Sequence, residues 1–101
     1  MIYLIDTNVI LRFLLGDEIN HYKKSVEIFE KIEKGEIFVE ILPSVLMEVY
    51  FVLTKFYKIN KKEVLNDLKK ILLLNGIVGE KVILYETLTL LEEKKLILLM
   101  L

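Results

Sequence analysis

The apolar residues of this chain change their spacing several times along its length, and that alternation restricts the fold more than any other feature. Met1–Ile5 is a short, continuous apolar run of strand character, the kind that suits burial on both faces of a parallel sheet. Asp6-Thr7-Asn8 then supplies helix-start chemistry for a segment to about Leu15, ended by Gly16-Asp17. A second helix is predicted from about Asn20 to Lys34, with Val26, Phe29 and Ile32 at helical spacing and Gly35 closing it. Ile37–Leu42 reads as a second strand, and Pro43 fits the first turn of a third helix to about Tyr57. Asn60 caps a fourth helix whose core side carries Val64, Leu68, Ile71 and Leu72, and Asn75-Gly76 breaks it. Ile77-Val78 is at most a short third strand, and Gly79 precedes a fifth helix to about Lys95.

Strands that alternate with helices predict an α/β fold. A short parallel sheet of about three strands is expected, flanked by about five helices and joined by right-handed crossovers. The 101 residues fit one domain, 1–101, of a size that needs a well-packed core or a partner. The absence of cysteine excludes disulfides, thiol catalysis and Cys-ligated zinc, and a single histidine, His21, excludes a multi-histidine metal site. A net charge of −1 gives no global attraction to nucleic acid, so such binding would need a local basic face or a bound cation. No signal peptide or membrane-spanning run is visible, which makes the cytoplasm the default location, with no membrane partner.

In an open parallel sheet, ligands gather at the carboxyl ends of the strands, where Asp6 stands. A plain helix N-cap, worth about 1 kcal/mol, fits the same position, and topology leaves the two readings even. Glu48 lies on the third helix at the edge of an expected apolar stripe of Val45, Val49, Val52, Leu53 and Phe56. A carboxylate there can point across the top of the sheet toward Asp6; the plainer reading is a rim glutamate with a packed stem and a solvated head. Arg12 fits an approach to phosphate and a surface ion pair equally well. His21 reads as a surface or capping side chain, and Lys61-Lys62 and Lys69-Lys70 as the solvated face of the fourth helix, or as an RNA contact if that face borders the acids. The tyrosines and phenylalanines fall mainly at core or rim spacing, without a platform for stacking bases.

Taken together, these residues have a family likeness. Ile2-Tyr3-Leu4-Ile5-Asp6-Thr7-Asn8-Val9-Ile10-Leu11-Arg12-Phe13-Leu14 resembles the opening of PIN-domain proteins, in which an apolar strand ends in Asp-Thr-Asn. Pro43-Ser44-Val45-Leu46-Met47-Glu48-Val49 resembles the second motif of that family, a glutamate early in the helix after strand two. The following Tyr50-Phe51-Val52-Leu53 and Tyr57 are similar to the same helix in toxins of the VapBC type. The resemblance implies a PIN-like three-layer α/β/α domain and a toxin-type endoribonuclease that hydrolyses RNA phosphodiesters with Mg²⁺ or Mn²⁺. By it, Asp6 and Glu48 are catalytic acids and metal ligands, Thr7, Asn8 and Ser44 support the site, and Arg12 contacts RNA. The partners it implies are an RNA substrate, a cognate antitoxin and a second copy of the chain in a homodimer.

The same resemblance places a third acid after the fifth helix. There the chain reads Leu96-Ile97-Leu98-Leu99-Met100-Leu101, without a carboxylate; Glu92 and Glu93 belong to the preceding helix as its solvated last turns. The expectation is therefore an incomplete, C-terminally truncated domain lacking the family's last strands and helices, with weak metal binding and reduced or no activity. The alternative is a non-catalytic remnant that serves as a self-association or antitoxin-binding module. Without the family's later strand, Met1–Ile5 would be an exposed apolar sheet edge. The run 96–101 is expected to cover that edge, in its own subunit or a neighbour's, with self-association preferred. A phosphoryl-transfer or phospho-acceptor reading needs a second Asp where this chain has Asn8, or an adjacent acidic pair and a later strand-end lysine, neither of which is clear.

Overall fold

Each predicted element forms in the computed structural model, which describes residues 1–93. The order is β1 (Ile2–Leu4), α1 (Thr7–Leu15), α2 (Ile19–Glu33), β2 (Phe38–Glu40), α3 (Pro43–Phe51), α4 (Lys61–Leu72), β3 (Ile77–Val78) and α5 (Lys81–Glu92). A π turn, Val52–Phe56, prolongs α3. The three strands form one parallel sheet in the order β1-β2-β3, and Leu4, Glu40 and Val78 stand in register across it. β2 is the middle strand, which is why Val39 is buried while the β1 residues Ile2, Tyr3 and Leu4 are not. The exposed edge expected at Met1–Ile5 is therefore present, with Ile2 58% and Leu4 64% accessible. The expected reach of the fifth helix to Lys95, the covering role of 96–101 and the position of a third acid lie outside the described residues.

Helix packing builds one apolar cluster around the sheet. α1 packs on α2 and α3, and α4 packs on α5. Ile10, Phe29, Ile32, Leu46, Leu68 and Leu88 are among its buried members, and Phe13 stacks on Phe29 with ring centroids 4.2 Å apart. Val64, Leu68, Ile71 and Leu72 face inward on α4 as their spacing requires, and the Asn60 side chain caps that helix by accepting from the Lys62 and Glu63 amides. The start of α2 is capped by Glu18, whose carboxylate accepts from the Asn20 and His21 amides. Gly76 marks a close approach: its N–H donates to the Ile32 carbonyl at 2.8 Å, and its carbonyl accepts from Val39 at 2.8 Å. A Cβ there would run into the Ile37 carbonyl and come within 2.7 Å of the Ile32 carbonyl.

Three expectations are corrected. The buried stripe of α3 and its continuation is Leu46, Val49, Tyr50 and Leu53; Val45 and Val52 are only half-buried and Phe56 is exposed. The π turn is the cause for Phe56. Tyr57 donates to the Val52 carbonyl five residues back, and the Thr54 hydroxyl donates to the Tyr50 carbonyl at 2.8 Å, competing with the α-helical ladder. Each π residue advances less than the ~100° of an α-helix, and over five residues the shortfall turns Phe56 about a quarter turn away from the core. Lys69, second, is not part of a simple solvated face, because its Nζ sits 3.1 Å from Glu92 Oε2 and 5.4 Å from the Tyr85 ring centroid. Third, the aromatics are not confined to core and rim: Phe51, Phe56 and Tyr57 are exposed.

Candidate functional site

β1 carries the chain to Ile5, which is buried and donates its N–H to the Glu40 carbonyl at 3.4 Å. The next residue, Asp6, leaves the sheet at its carboxyl end with an extended backbone (φ −83°, ψ 147°) and begins α1. Its position is that of a helix cap, yet its carboxylate accepts no hydrogen bond from the helix. Only the backbone serves the first turn there, with the Asp6 carbonyl accepting from Val9 at 3.1 Å. Of the two readings that topology leaves open, the capping one is not realised in the side chain. The Asp6 carboxylate is exposed at the strand end.

Thr7 connects this strand end to α3. It is nearly buried, 6% accessible, and its Oγ1 donates to Glu48 Oε2 at 3.4 Å, a long and weak hydrogen bond. Glu48 is exposed and lies on the face of α3 turned away from Leu46, Val49, Tyr50 and Leu53, not at the edge of the buried stripe. Contact between α1 and α3, rather than the core stripe, is what brings it beside the Asp6-Thr7 strand end. Ser44 is exposed one turn before Glu48, and Asn8 is exposed beside Asp6. Neither side chain makes a hydrogen bond among the described residues. Arg12 turns elsewhere, into a shallow cleft with His21 and Lys24 at the start of α2.

Other titratable groups have different company. His21 is a surface side chain with Nδ1 3.1 Å from Glu18 Oε2. The backbone N–H groups of His21 and then Asn20 hold the Glu18 carboxyl below its ordinary value of 4.5. Burial pushes the Tyr50 phenol above its usual 10.0. An open groove of about 390 Å³ runs beside β1 between Tyr3, Asp6, Val9, Ile28 and Lys31.

Sequence reasoning overlooked Glu40. It ends β2 at the same end of the sheet as Asp6, and its carboxyl carbon lies 2.9 Å from where a Cβ on Gly79 would sit, a residue with φ 88°. Its strand-end position was the signal available for it. Even so, no three His, Cys, Asp or Glu side chains among the described residues gather into a metal-binding group. What Asp6 and Glu48 offer a cation is oxygen only, which matches Mg²⁺ in kind, since that ion keeps several waters and takes one or two carboxylates.

No helix among the described residues is long and apolar enough to cross a membrane. Comparison with curated proteins and with solved structures gives no match. A family model does match, that of the PIN domain, over residues 3–96, and the strand-end Asp6, the α3 glutamate and the parallel sheet lie within that span. The chain belongs to the PIN-domain family.

Proposed function

We propose that this chain is a metal-dependent endoribonuclease of the toxin type, acting on RNA phosphodiesters in the cytoplasm and held in check by a cognate antitoxin. PIN domains are nuclease-type domains that generally use divalent metals and bind RNA. The observation that carries the finer reading is the Thr7–Glu48 hydrogen bond, which joins the Asp6 strand end to the α3 glutamate. Asp6 and Glu48 would hold Mg²⁺ or Mn²⁺, which when bound supplies an activated water and offsets phosphate charge. Thr7 orients the Glu48 carboxylate, while Asn8 and Ser44 offer an amide and a hydroxyl to water or phosphate at the rim. Held by Asp6 and Glu48 alone, the cation would be bound weakly and turnover would be slow. Arg12, on α1 beside a cleft with His21 and Lys24, offers a contact to RNA phosphate.

The test is cleavage of a 5′-labelled RNA under titration with Mg²⁺ and Mn²⁺, with wild type, Asp6→Asn and Glu48→Gln compared. Divalent-dependent cleavage that both substitutions abolish is the expected result. No cleavage at any metal concentration, or cleavage indifferent to Asp6→Asn, sinks the reading. A second reading, an interaction module that binds an antitoxin or its own copy, is favoured by the exposed β1 edge and the groove beside it.

A further inference from the structure

Between Glu48 and Glu63 the chain carries four lysines, Lys55, Lys58, Lys61 and Lys62, and no carboxylate. In a chain of net charge −1 this is the local basic stretch that nucleic-acid binding would require. The same stretch displays three of the exposed aromatics, with Tyr3 and Phe38 on the sheet strands. Phe56 is 77% accessible, Tyr57 43% and Phe51 41%, with Phe56 and Tyr57 held edge to face at 5.1 Å. Phe51 follows Glu48 by three residues and so shares its face of α3. The π turn brings Phe56 round to that same outward side, where a regular helix would have tucked it toward the core.

Three aromatic rings exposed together mark an interaction surface, and the chemistry around them selects the occupant. A second copy of this surface would set lysine against lysine, whereas a polyanion meets them with opposite charge. Single-stranded RNA needs what is present: flat apolar faces on which bases stack, interleaved with cations that track the phosphates. Continuity along α3 sets the direction, because a strand lying on Phe56 and Phe51 runs on to Glu48. We infer that the π-turn surface, with Phe56 and Phe51 as stacking platforms and Lys55 and Lys58 as phosphate contacts, binds single-stranded RNA and leads it to the Asp6–Glu48 site. The inference deepens the nuclease reading and rests on it for the destination of the strand, not for the binding itself.

Binding is therefore measured apart from cleavage, by fluorescence anisotropy of a fluorescein-labelled, mixed-sequence single-stranded RNA in EDTA. Phe56→Ala is expected to weaken affinity about fivefold or more, and Phe56→Trp to restore it. The Lys55→Ala/Lys58→Ala double variant should lower the slope of log affinity against log salt by about 1.4. Phe56→Ala binding RNA as the wild type does, or a wild type that binds none, overturns the inference. So does a Phe56→Ala chain whose only change in sedimentation is from dimer to monomer, which would make the patch a contact between copies. Asp6→Asn separates the two readings. Cleavage by the wild type that Asp6→Asn loses while keeping binding in EDTA supports both, whereas a wild type that binds RNA through Phe56 but cleaves none removes the nuclease reading alone.

Discussion

Thr7 and Glu48 are 41 positions apart in the chain, and the hydroxyl of the first donates to Oε2 of the second at 3.4 Å. A buried threonine on α1 thus holds an exposed carboxylate on α3 in place. Thr7→Val keeps the shape and removes the donor. On the proposed chemistry it lowers cleavage and apparent Mn²⁺ affinity about tenfold, the lower end for an orienting partner because the bond is long. Thr7→Ser should recover part of the loss. Wild-type kinetics in Thr7→Val would show that the bond serves the fold and not the site.

Gly76 is the most tightly enclosed of the four glycines. Any side chain there meets two backbone carbonyls, those of Ile32 and Ile37, which cannot swing aside as a flexible side chain could. Gly76→Ala must pull β3 away from the end of α2, at a cost of about 3 kcal/mol. Urea denaturation should show a lower midpoint with an unchanged slope. Stability equal to wild type would refute the close approach.

Acid should loosen the start of α2. The Glu18 carboxyl is held below 4.5 by the His21 and Asn20 amides, so its folded-state value is depressed relative to the unfolded chain. The stabilisation from this cap is present above the unfolded value and is lost as pH falls through the folded one. Amide resonances of Asn20 and His21 should therefore shift toward coil positions below pH 4.5, not above it. Glu18→Ala should show coil-like shifts at neutral pH already. A transition centred above 4.5 would contradict the assignment.

The β1 edge should drive self-association. Its outer side has no strand partner among the described residues, and Ile2, Tyr3 and Leu4 are apolar or aromatic and exposed. Sedimentation at rising concentration is expected to show mass above the monomer, and Leu4→Lys should return it toward the monomer. A wild type that stays monomeric at high concentration would count against this.

How far the sequence carried depends on which rule applied. Asp6 was legible because strand character stops at Ile5, and the end of a parallel strand is where chemistry collects. The helix cap at Asn60 and the inward face of α4 followed from residue type and spacing. Glu48 was found by its motif, but its direction was misread, since the valines suggested a stripe that in fact runs through Leu46 and Tyr50. The exposure of Phe56 was not accessible to a rule that assumes 3.6 residues per turn, because one π turn breaks the register. Glu18 escaped notice as a cap because Ser, Thr, Asp and Asn are the usual signals.

The position of β1 has a last consequence for the residue it delivers. A strand that among the described residues is secured along one side, with little apolar surface to re-expose, is among the first segments to open in native-state fluctuations. Asp6 travels with it. Anything that zips onto the vacant flank raises the free energy of that opening and steadies the carboxylate. By reciprocity, a cation or phosphate engaged at Asp6 tightens the zipped strand by the same factor. On the proposed reading, assembly and order at Asp6 would therefore be two readings of one local equilibrium.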